Sequence, residues 1–364
     1  EAPPVAAPAA PLTAAQKEII AHEMDDIRRD HQHFLVIGMP TVPRKNEMDY
    51  LLRTLDALRD QVAALRAPLD LGAAGGRLRL LPAAAQAFLR GAHARAAGLS
   101  ILVVVMNVSG LPHGRFLEAQ ARYRDAPFIE FREHLDPQPL EGPQQSKNRN
   151  VPNAKVRKQT RDLVALLRAA QGRGRHFLFM EDDFVACPGA LLATLHYLWK
   201  ADARAPDWLA VRSSYGMNGI ALQDKDLGAF ADYMEQHQAR RPCDHLVVEW
   251  FAGETRQAAR HKRDRPHFAY RYNLFDHVGV TSSLRAQASP IYPICYEMLH
   301  KGILFEVEAF DPKQCPGDDL WPCDRQGDYR EVFQADVLYD KDRKEQQKRE
   351  HARAKQNSLK KQSR

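Results

Sequence analysis

Apolar residues recur every three to four positions in several segments of the chain. Residues 13–32, 47–65 and 153–171 follow this pattern and are predicted to form helices. Thr13 is suited to cap the first of them, because its hydroxyl can accept a hydrogen bond from a backbone N–H of the first turn. The Ala/Gly-rich segment 67–98 shows no clear spacing, and we interpret it as an insertion that contains a helix.

Short apolar runs between these helices are typical of buried strands. The clearest is "LSILVVVMNVSG", residues 99–110, which is apolar on both faces, as expected of a central strand in a parallel sheet. Phe34–Ile37 is a shorter strand, which we expect Gly38 and Pro40 to end. The helix over 153–171 runs directly into a third strand. This order predicts an α/β fold with a doubly wound, mainly parallel central sheet flanked by helices.

The third strand ends in three consecutive carboxylates, Glu181, Asp182 and Asp183. Like charges repel one another, so core packing does not account for them. In doubly wound sheets, ligands collect at the carboxyl ends of the strands. A hard cation such as Mg²⁺ or Mn²⁺ takes one or two carboxylates together with phosphate oxygens. The triple therefore indicates a site for a metal and a diphosphate. The alternative is an acidic loop that caps the next helix or pairs with arginines.

The composition is that of a globular chain: 364 residues, 44% of them hydrophobic and 27% charged. Much of the net charge of +6 lies in residues 336–364, which we interpret as a solvated, frayed tail, with a phosphate-binding or partner-binding arm as the alternative. Residues 1–12 are an Ala/Pro-rich linker. The cluster Arg260–Tyr272 mixes cations with aromatics, and we interpret it as a solvated loop with sugar-stacking aromatics. We therefore expect no nucleic-acid partner.

The cysteines and the length of the apolar runs give information on the cellular compartment of the protein. The five cysteines match no zinc signature in their spacing. Cys315 and Cys323 bracket "PGDDLWP", and the spacing leaves open a disulfide in an oxidising lumen or buried free thiols. No apolar run is long enough to span a bilayer. The chain begins at Glu1, so we expect a processed chain whose signal or membrane anchor, if it had one, lay upstream.

Several motifs, taken in order, resemble the N-acetylglucosaminyltransferase IV family. The matching stretches are "GMPTVPR" (38–44), "KQTRDLVALLRAAQGRGRHFLFMEDDF" (158–184), "DWLAVRSSYGMNGIAL" (207–222) with its following "DHL" element, "NLFDHVGVTSSL" (273–284) and "GDDLW" (317–321). The fourth is the most specific, and the resemblance spans roughly residues 34–323. The segment before Lys147 and the cysteine bracket depart from the family pattern.

The resemblance implies a GT-A fold with one catalytic domain over residues 13–335. Residues 34–183 would form the half that binds the nucleotide sugar, and residues 184–335 the acceptor half. The implied enzyme is an inverting, metal-dependent glycosyltransferase that moves a sugar, GlcNAc in this family, from a UDP donor to a glycan such as a mannose of an N-glycan. The implied location is the lumen of the Golgi or endoplasmic reticulum, as the ectodomain of a type II membrane protein.

The resemblance also assigns roles to individual residues. Asp183 would coordinate Mn²⁺ or Mg²⁺, while Glu181 and Asp182 would approach the ribose and the outer coordination sphere. His277 is either a further metal ligand or phosphate contact, or a structural histidine. The residues implied to line the uridine diphosphate pocket are Gly38, Pro40, Thr41 and Arg44.

An inverting transfer needs a general base that deprotonates the acceptor hydroxyl. Asp319, with Asp318 as its alternative, occupies the family's late acidic element, although a capping or calcium-like loop would look the same. Ser282 and Ser283 either bond the diphosphate or cap a turn.

Other functions remain open at this point. A related enzyme could use UDP-GalNAc and act on a glycolipid-anchor mannose, and a non-catalytic glycan-binding module could keep the same fold. A metal-dependent nuclease or phosphotransferase is disfavoured, because no second acidic cluster and no phosphate-binding glycine-rich loop is evident.

Overall fold

The computed structural model describes residues 32–44, 48–70, 79, 81, 83–136, 138, 151–279, 292–301, 304–323 and 335–362. The predicted linker and nearly all of the predicted helix over 13–32 lie outside these residues, as do Ser282 and Ser283. The strands are β1 His33–Thr41, β2 Ile101–Asn107, β3 Ile129–Glu133, β4 Gly174–Phe179, β5 Phe184–Ala186, β6 Ala210–Arg212, β7 Ile220–Gln223, β8 His267–Tyr270, β9 Phe275–His277 and β10 Leu320–Trp321. The helices are α1 Tyr50–Arg66, α2 Ala83–Ala96, α3 Gly114–Arg122, α4 Ala154–Ala170, α5 Ala190–Arg204, α6 Asp224–His237, α7 Cys243–Ala252, α8 Arg256–Lys262 and α9 Lys341–Gln362.

Eight of the described strands form one sheet in the order β10-β8-β6-β7-β4-β1-β2-β3. Strands β7 and β10 run opposite to their neighbours, and the other six run in one direction. A separate two-stranded sheet pairs β5 with β9. The predicted α/β fold with a mainly parallel central sheet is therefore confirmed.

Helices cover both faces of the large sheet. Along β2, Ile101, Val103 and Val105 belong to a core shared with α1, α2 and α5, whereas Leu102 and Val104 belong to a core shared with α4, α6 and α7. Neighbouring residues of a strand point to opposite faces, so the continuous apolar run of β2 is buried on both sides. This confirms the position that its sequence predicted.

The prediction that Gly38 and Pro40 end the first strand was wrong. Strand β1 continues to Thr41 and pairs with β2 along its whole carboxyl half. A Cβ on Gly38 would lie 2.4 Å from the ring of Phe177, so the glycine permits close packing inside the sheet. Pro40 is tolerated because its nitrogen faces the side on which pairing with β4 has already ended, at Gly38 and Phe179.

Two further predictions are corrected. The charged stretch at 336–364 is helical over Lys341–Gln362, because it is rich in strong helix formers and carries pairs such as Lys348–Glu345 along its surface. The aromatics of the Arg260–Tyr272 cluster do not stack on sugars. They are 0–3% exposed and belong to the core: Phe268, Tyr270 and Tyr272.

Two disulfides join four of the five cysteines, Cys187 to Cys295 and Cys315 to Cys323, and Cys243 is a buried free thiol. The pair around "PGDDLWP" is thus the disulfide alternative. None of the helices in the described part of the chain has the length and apolar character needed to cross a membrane.

Candidate active site

The carboxyl ends of β1 and β4 lie side by side, because the two strands are parallel neighbours paired as far as Gly38 and Phe179. Thr41 ends β1, and the acidic triple follows β4. The Thr41 hydroxyl donates a hydrogen bond of 2.6 Å to Asp182 Oδ2. The two stretches that the sequence placed at strand ends therefore meet in one site.

Asp182 is buried and holds this junction together. Its carboxylate forms an ion pair with Arg44, and its backbone oxygen accepts a hydrogen bond of 2.9 Å from Thr54 of α1. The ring Nε2 of His113 lies 3.0 Å from Thr41 Oγ1. Because the Thr41 hydroxyl proton is used on Asp182, His113 must donate through Nε2. A chain of hydrogen bonds from His113 through Thr41 thus fixes the Asp182 carboxylate, which in turn orients Arg44.

Asp183 faces a histidine from the second sheet. Antiparallel pairing of β5 with β9 sets Phe184 opposite His277, and the N–H of Val278 donates to the Asp183 carbonyl at 2.9 Å. As a result, His277 Nε2 lies 3.5 Å from Asp183 Oδ2. Arg44 also lies 3.5 Å from this carboxylate. Asp183 Oδ1 is buried and has no hydrogen-bond partner among the described residues.

A glycine leaves open the space between these two donor atoms. A Cβ on Gly279 would lie 2.4 Å from Asp183 Oδ2 and 2.9 Å from His277 Nε2. A carboxylate oxygen and an imidazole nitrogen are both suitable ligands for Mn²⁺. These two side chains fit a divalent cation that takes its other ligands from a substrate and water. Within the residues described, no three His, Cys, Asp or Glu side chains are grouped for a metal.

The site shifts the pKa values of Glu181 and Asp183 in opposite directions. Burial, reinforced by the charges of Asp183 and Asp182, raises the pKa of Glu181 to about 8. Burial also opposes ionisation of Asp183, but the hydrogen bond from His277 and the charge of Arg44 outweigh it and lower the pKa of Asp183. Near neutral pH, Asp183 is therefore the carboxylate that carries charge toward His277.

An aromatic wall lines the other side of His277. Its ring packs at 4.7 Å from Phe184 and edge-on at 4.6 Å from Tyr292, and Tyr292 stacks on Tyr215 at 4.9 Å. The hydroxyl of Tyr215 is buried and has no hydrogen-bond partner in the described part of the chain. This wall gives the space between Asp183 and His277 one apolar side with a polar group set into it.

The turn between β6 and β7 supports Glu181. The Asn218 side chain accepts the Glu181 N–H at 3.0 Å through Oδ1, which leaves its amide nitrogen without a partner among these residues. Gly219 has a φ of +72°, and a Cβ there would lie 2.6 Å from Ser214. Only glycine fits this tight turn. The buried guanidinium of Arg212 holds the turn from behind through a 2.6 Å hydrogen bond to the carbonyl of Gly216.

Asn273, the first residue of "NLFDHVGVTSSL", has a structural role. It is fully buried, and its amide nitrogen donates to the carbonyls of Phe275, Pro293 and Ile294 at 2.6, 3.0 and 3.1 Å. Its amide oxygen accepts a bond of 2.8 Å from Ser214. One side chain therefore ties β9, the segment before Tyr296 and the turn after β6 into a single wall.

Asp318 and Asp319, the sequence candidates for a general base, lie elsewhere. Both are buried, and Lys200 Nζ lies 2.6 Å from Asp318 and 2.5 Å from Asp319. Arg204 also pairs with Asp318. Burial opposes ionisation of Asp318, but Lys200 and Arg204 outweigh it, and its pKa is lowered. Carboxylates that are buried and ion-paired in this way are poor bases, since a proton would have to displace the cations.

The structure brings together six of the ten candidate residues that lie in the described part of the chain: Thr41, Arg44, Glu181, Asp182, Asp183 and His277. Strand β10, which follows Asp319, is four strands from β4, about 19 Å at ordinary strand spacing. Gly38 and Pro40 both lie within β1. Sequence reasoning missed several residues of the site: Thr54, His113, Tyr215, Asn218 and Gly279. No local pattern marks His113, whereas the glycine after "DHV" could have been recognised as a close approach.

The chain is similar to three curated proteins, each named alpha-1,3-mannosyl-glycoprotein 4-beta-N-acetylglucosaminyltransferase B. The Danio rerio protein is 26% identical over 163 residues, which cover 42% of this chain and 29% of that protein. The Mus musculus and Homo sapiens proteins are each 27% identical over 143 residues, 36% of this chain and 26% of theirs. The expected resemblance to N-acetylglucosaminyltransferase IV is therefore confirmed, while the chain spans less than a third of the length of these relatives.

Comparisons with family models and with solved structures do not identify a function. No protein-family model matches the chain. The crystal structure of S. aureus TarS 1-349 gives a TM-score of 0.26 at 16% identity and covers 51% of this chain and 37% of TarS 1-349. A likeness at this level carries no conclusion about function.

Proposed function

We propose that this protein is an inverting, metal-dependent glycosyltransferase of the GT-A type that uses a UDP-sugar. The observation that carries the proposal is the pairing of Asp183 with His277 across the space left by Gly279, beside Arg44 at the ends of β1 and β4. The names of the curated relatives support GlcNAc as the transferred sugar and a mannose of a glycoprotein as the acceptor.

Asp183 and His277 would hold Mn²⁺ or Mg²⁺, which supplies charge neutralisation for the departing diphosphate. Arg44 offers a planar guanidinium to the same phosphates, since it already reaches within 3.5 Å of Asp183. Thr41 and His113 keep Arg44 aimed by fixing Asp182. These side chains bind and orient the donor, and the aromatic wall excludes water from one side of it.

Asp244 is our candidate for the base that activates the acceptor hydroxyl. It is an exposed carboxylate in the first turn of α7, within the "DHL" element. Its charge contributes to the raised pKa of Glu181, so it lies near the acidic triple. An exposed carboxylate can accept a proton without breaking a buried ion pair, in contrast to Asp318 and Asp319.

The two disulfides support an oxidising compartment. We therefore propose the lumen of the Golgi or endoplasmic reticulum as the working location.

Isothermal titration of UDP into the full chain, with and without Mn²⁺, tests the proposal. We expect binding that requires the metal and that Asp183→Ala abolishes. Asp60→Ala is the matched control, because Asp60 is exposed on α1 and pairs only with Arg59 among the described residues. Binding that is indifferent to Mn²⁺, or equal in Asp183→Ala and wild type, contradicts the metal site. Release of UDP from UDP-GlcNAc separates an enzyme from a non-catalytic glycan-binding module.

A further inference from the structure

The charged stretch near the end of the chain touches the candidate site through its first helical turn. Arg343 of α9 forms an ion pair with Asp276 of β9. Asp276 immediately precedes His277 and pairs with Val185 of β5. The helix therefore contacts the strand that presents His277 to Asp183.

The next residue of α9 bonds the backbone of Tyr292, whose ring packs on His277. Lys344 is only 7% exposed, and its Nζ donates to the carbonyl of Tyr292 at 3.0 Å. The same Nζ lies 2.7 Å from Glu297 Oε2, which also accepts the N–H of Ile294 at 3.0 Å. Lys344 thus holds the backbone of Tyr292 directly and that of Ile294 through Glu297, and the Tyr292 ring lies 4.6 Å from His277.

Polar contacts, and not the burial of an apolar face, hold the first part of α9 in place. Along Lys341–Glu350, Lys344 is the only buried residue. The stretch offers no apolar face, so burial of hydrophobic surface does not account for its position. Burying an ammonium group costs free energy unless hydrogen bonds and an opposite charge compensate for it. Here the carbonyl of Tyr292 and the carboxylate of Glu297 compensate for the buried Lys344. Both groups belong to the wall of the site that carries the Tyr292 ring.

We propose that Arg343 and Lys344 are positioning residues that keep His277 and Tyr292 aligned with Asp183, so that α9 belongs to the active site. This inference rests on the proposed function for its catalytic meaning. Residues outside the coordination sphere that orient a ligand commonly change metal affinity by about 10-fold or more when replaced. The alternative is a solvated helix that is irrelevant to the site.

The test compares the full-length wild type with Lys344→Met, Lys344→Arg and Lys348→Met. Lys348 is the matched control, one turn further along α9, where it is exposed and pairs with Glu345 at 2.7 Å. Titration of Mn²⁺ into the UDP-saturated protein gives the metal affinity. We expect a loss of about 10-fold for Lys344→Met, a substantial recovery for Lys344→Arg, and no change for Lys348→Met.

A second readout needs neither metal nor activity. The imidazole NMR signal of His277 in the metal-free protein, identified by its loss in His277→Gln, should shift in Lys344→Met and stay in place in Lys348→Met. If Lys344→Met does not fold, Arg343→Gln replaces it, because this side chain is half-exposed and its loss leaves Lys344 in place. We then expect the same two changes at smaller size.

The inference is overturned if the Lys344→Met and Arg343→Gln proteins keep both the wild-type Mn²⁺ affinity and the His277 signal. It is also overturned if Lys348→Met produces the same loss as Lys344→Met. A wild type that binds no UDP with Mn²⁺ contradicts the proposed function instead. In that case the NMR comparison still decides whether α9 positions His277.

Discussion

Replacing Gly279 by alanine is the sharpest test of the proposed cation site, because it adds one methyl group and removes neither proposed ligand. The new Cβ would lie 2.4 Å from Asp183 Oδ2, 2.9 Å from His277 Nε2 and 3.0 Å from Asp183 Cγ. Non-bonded carbon does not approach other heavy atoms this closely. The backbone of Gly279 is outside the left-handed region, so alanine introduces a steric clash without a backbone penalty.

The size of the effect follows from what can move. Asp183 can turn away only by leaving His277 and Arg44, and His277 can turn away only by leaving Tyr292 and Phe184. Either movement separates the two donor atoms, so one ligand is lost. We expect Mn²⁺ affinity in the presence of UDP to fall at least about 100-fold, or about 2.7 kcal/mol.

Mn²⁺ titration of the UDP-saturated protein measures this loss, and thermal unfolding monitors the fold. Gly91→Ala is the matched control, because its added methyl group meets nothing within 4 Å and alanine favours the helix there. A Gly279→Ala protein with wild-type Mn²⁺ affinity would refute the idea that a cation occupies the space between Asp183 and His277. An equal loss in Gly91→Ala would show that the assay does not report on the site.

Three further predictions concern other parts of the site. Thr41→Val leaves His113 and Asp182 without their shared partner, so we expect a loss of about 1–3 kcal/mol in unfolding free energy that Thr41→Ser restores, as measured by urea denaturation. Asp244→Asn should lower kcat by about 100-fold or more at an unchanged melting temperature, and an unchanged kcat would exclude it as the base. The pKa of Asp318 is lowered in the folded state, so its ionised form stabilises the protein above about pH 4 and this contribution is lost as pH falls through the folded pKa. Asp318→Asn should therefore destabilise the protein at neutral pH and flatten the acid side of its stability profile, and identical profiles for variant and wild type would contradict this.

The predictions that succeeded depend on local information. The apolar run of β2 on both faces and the placement of the acidic triple after a buried strand follow from the periodicity of side chains along a strand. The helix α4 followed in the same way, and its Asn153 cap accepts the N–H of Val156 at 3.0 Å. What the sequence did not predict depends on neighbours distant in sequence. Gly38 lies inside β1 in close contact with Phe177, and Asp319 is buried beside Lys200, which lies 119 residues earlier.

By itself, the sequence determined the class of the fold and the chemistry available to it: a parallel sheet, and carboxylates at the carboxyl end of β4. Only the tertiary structure decided which groups those carboxylates face. Strand pairing of β5 with β9 brought His277 to Asp183 across 94 residues of chain, and the first turn of α9 reached the same wall. Such contacts are set by how the elements pack and not by spacing along the chain, because side chains of a folded protein meet wherever burial and hydrogen bonding bring their backbones together.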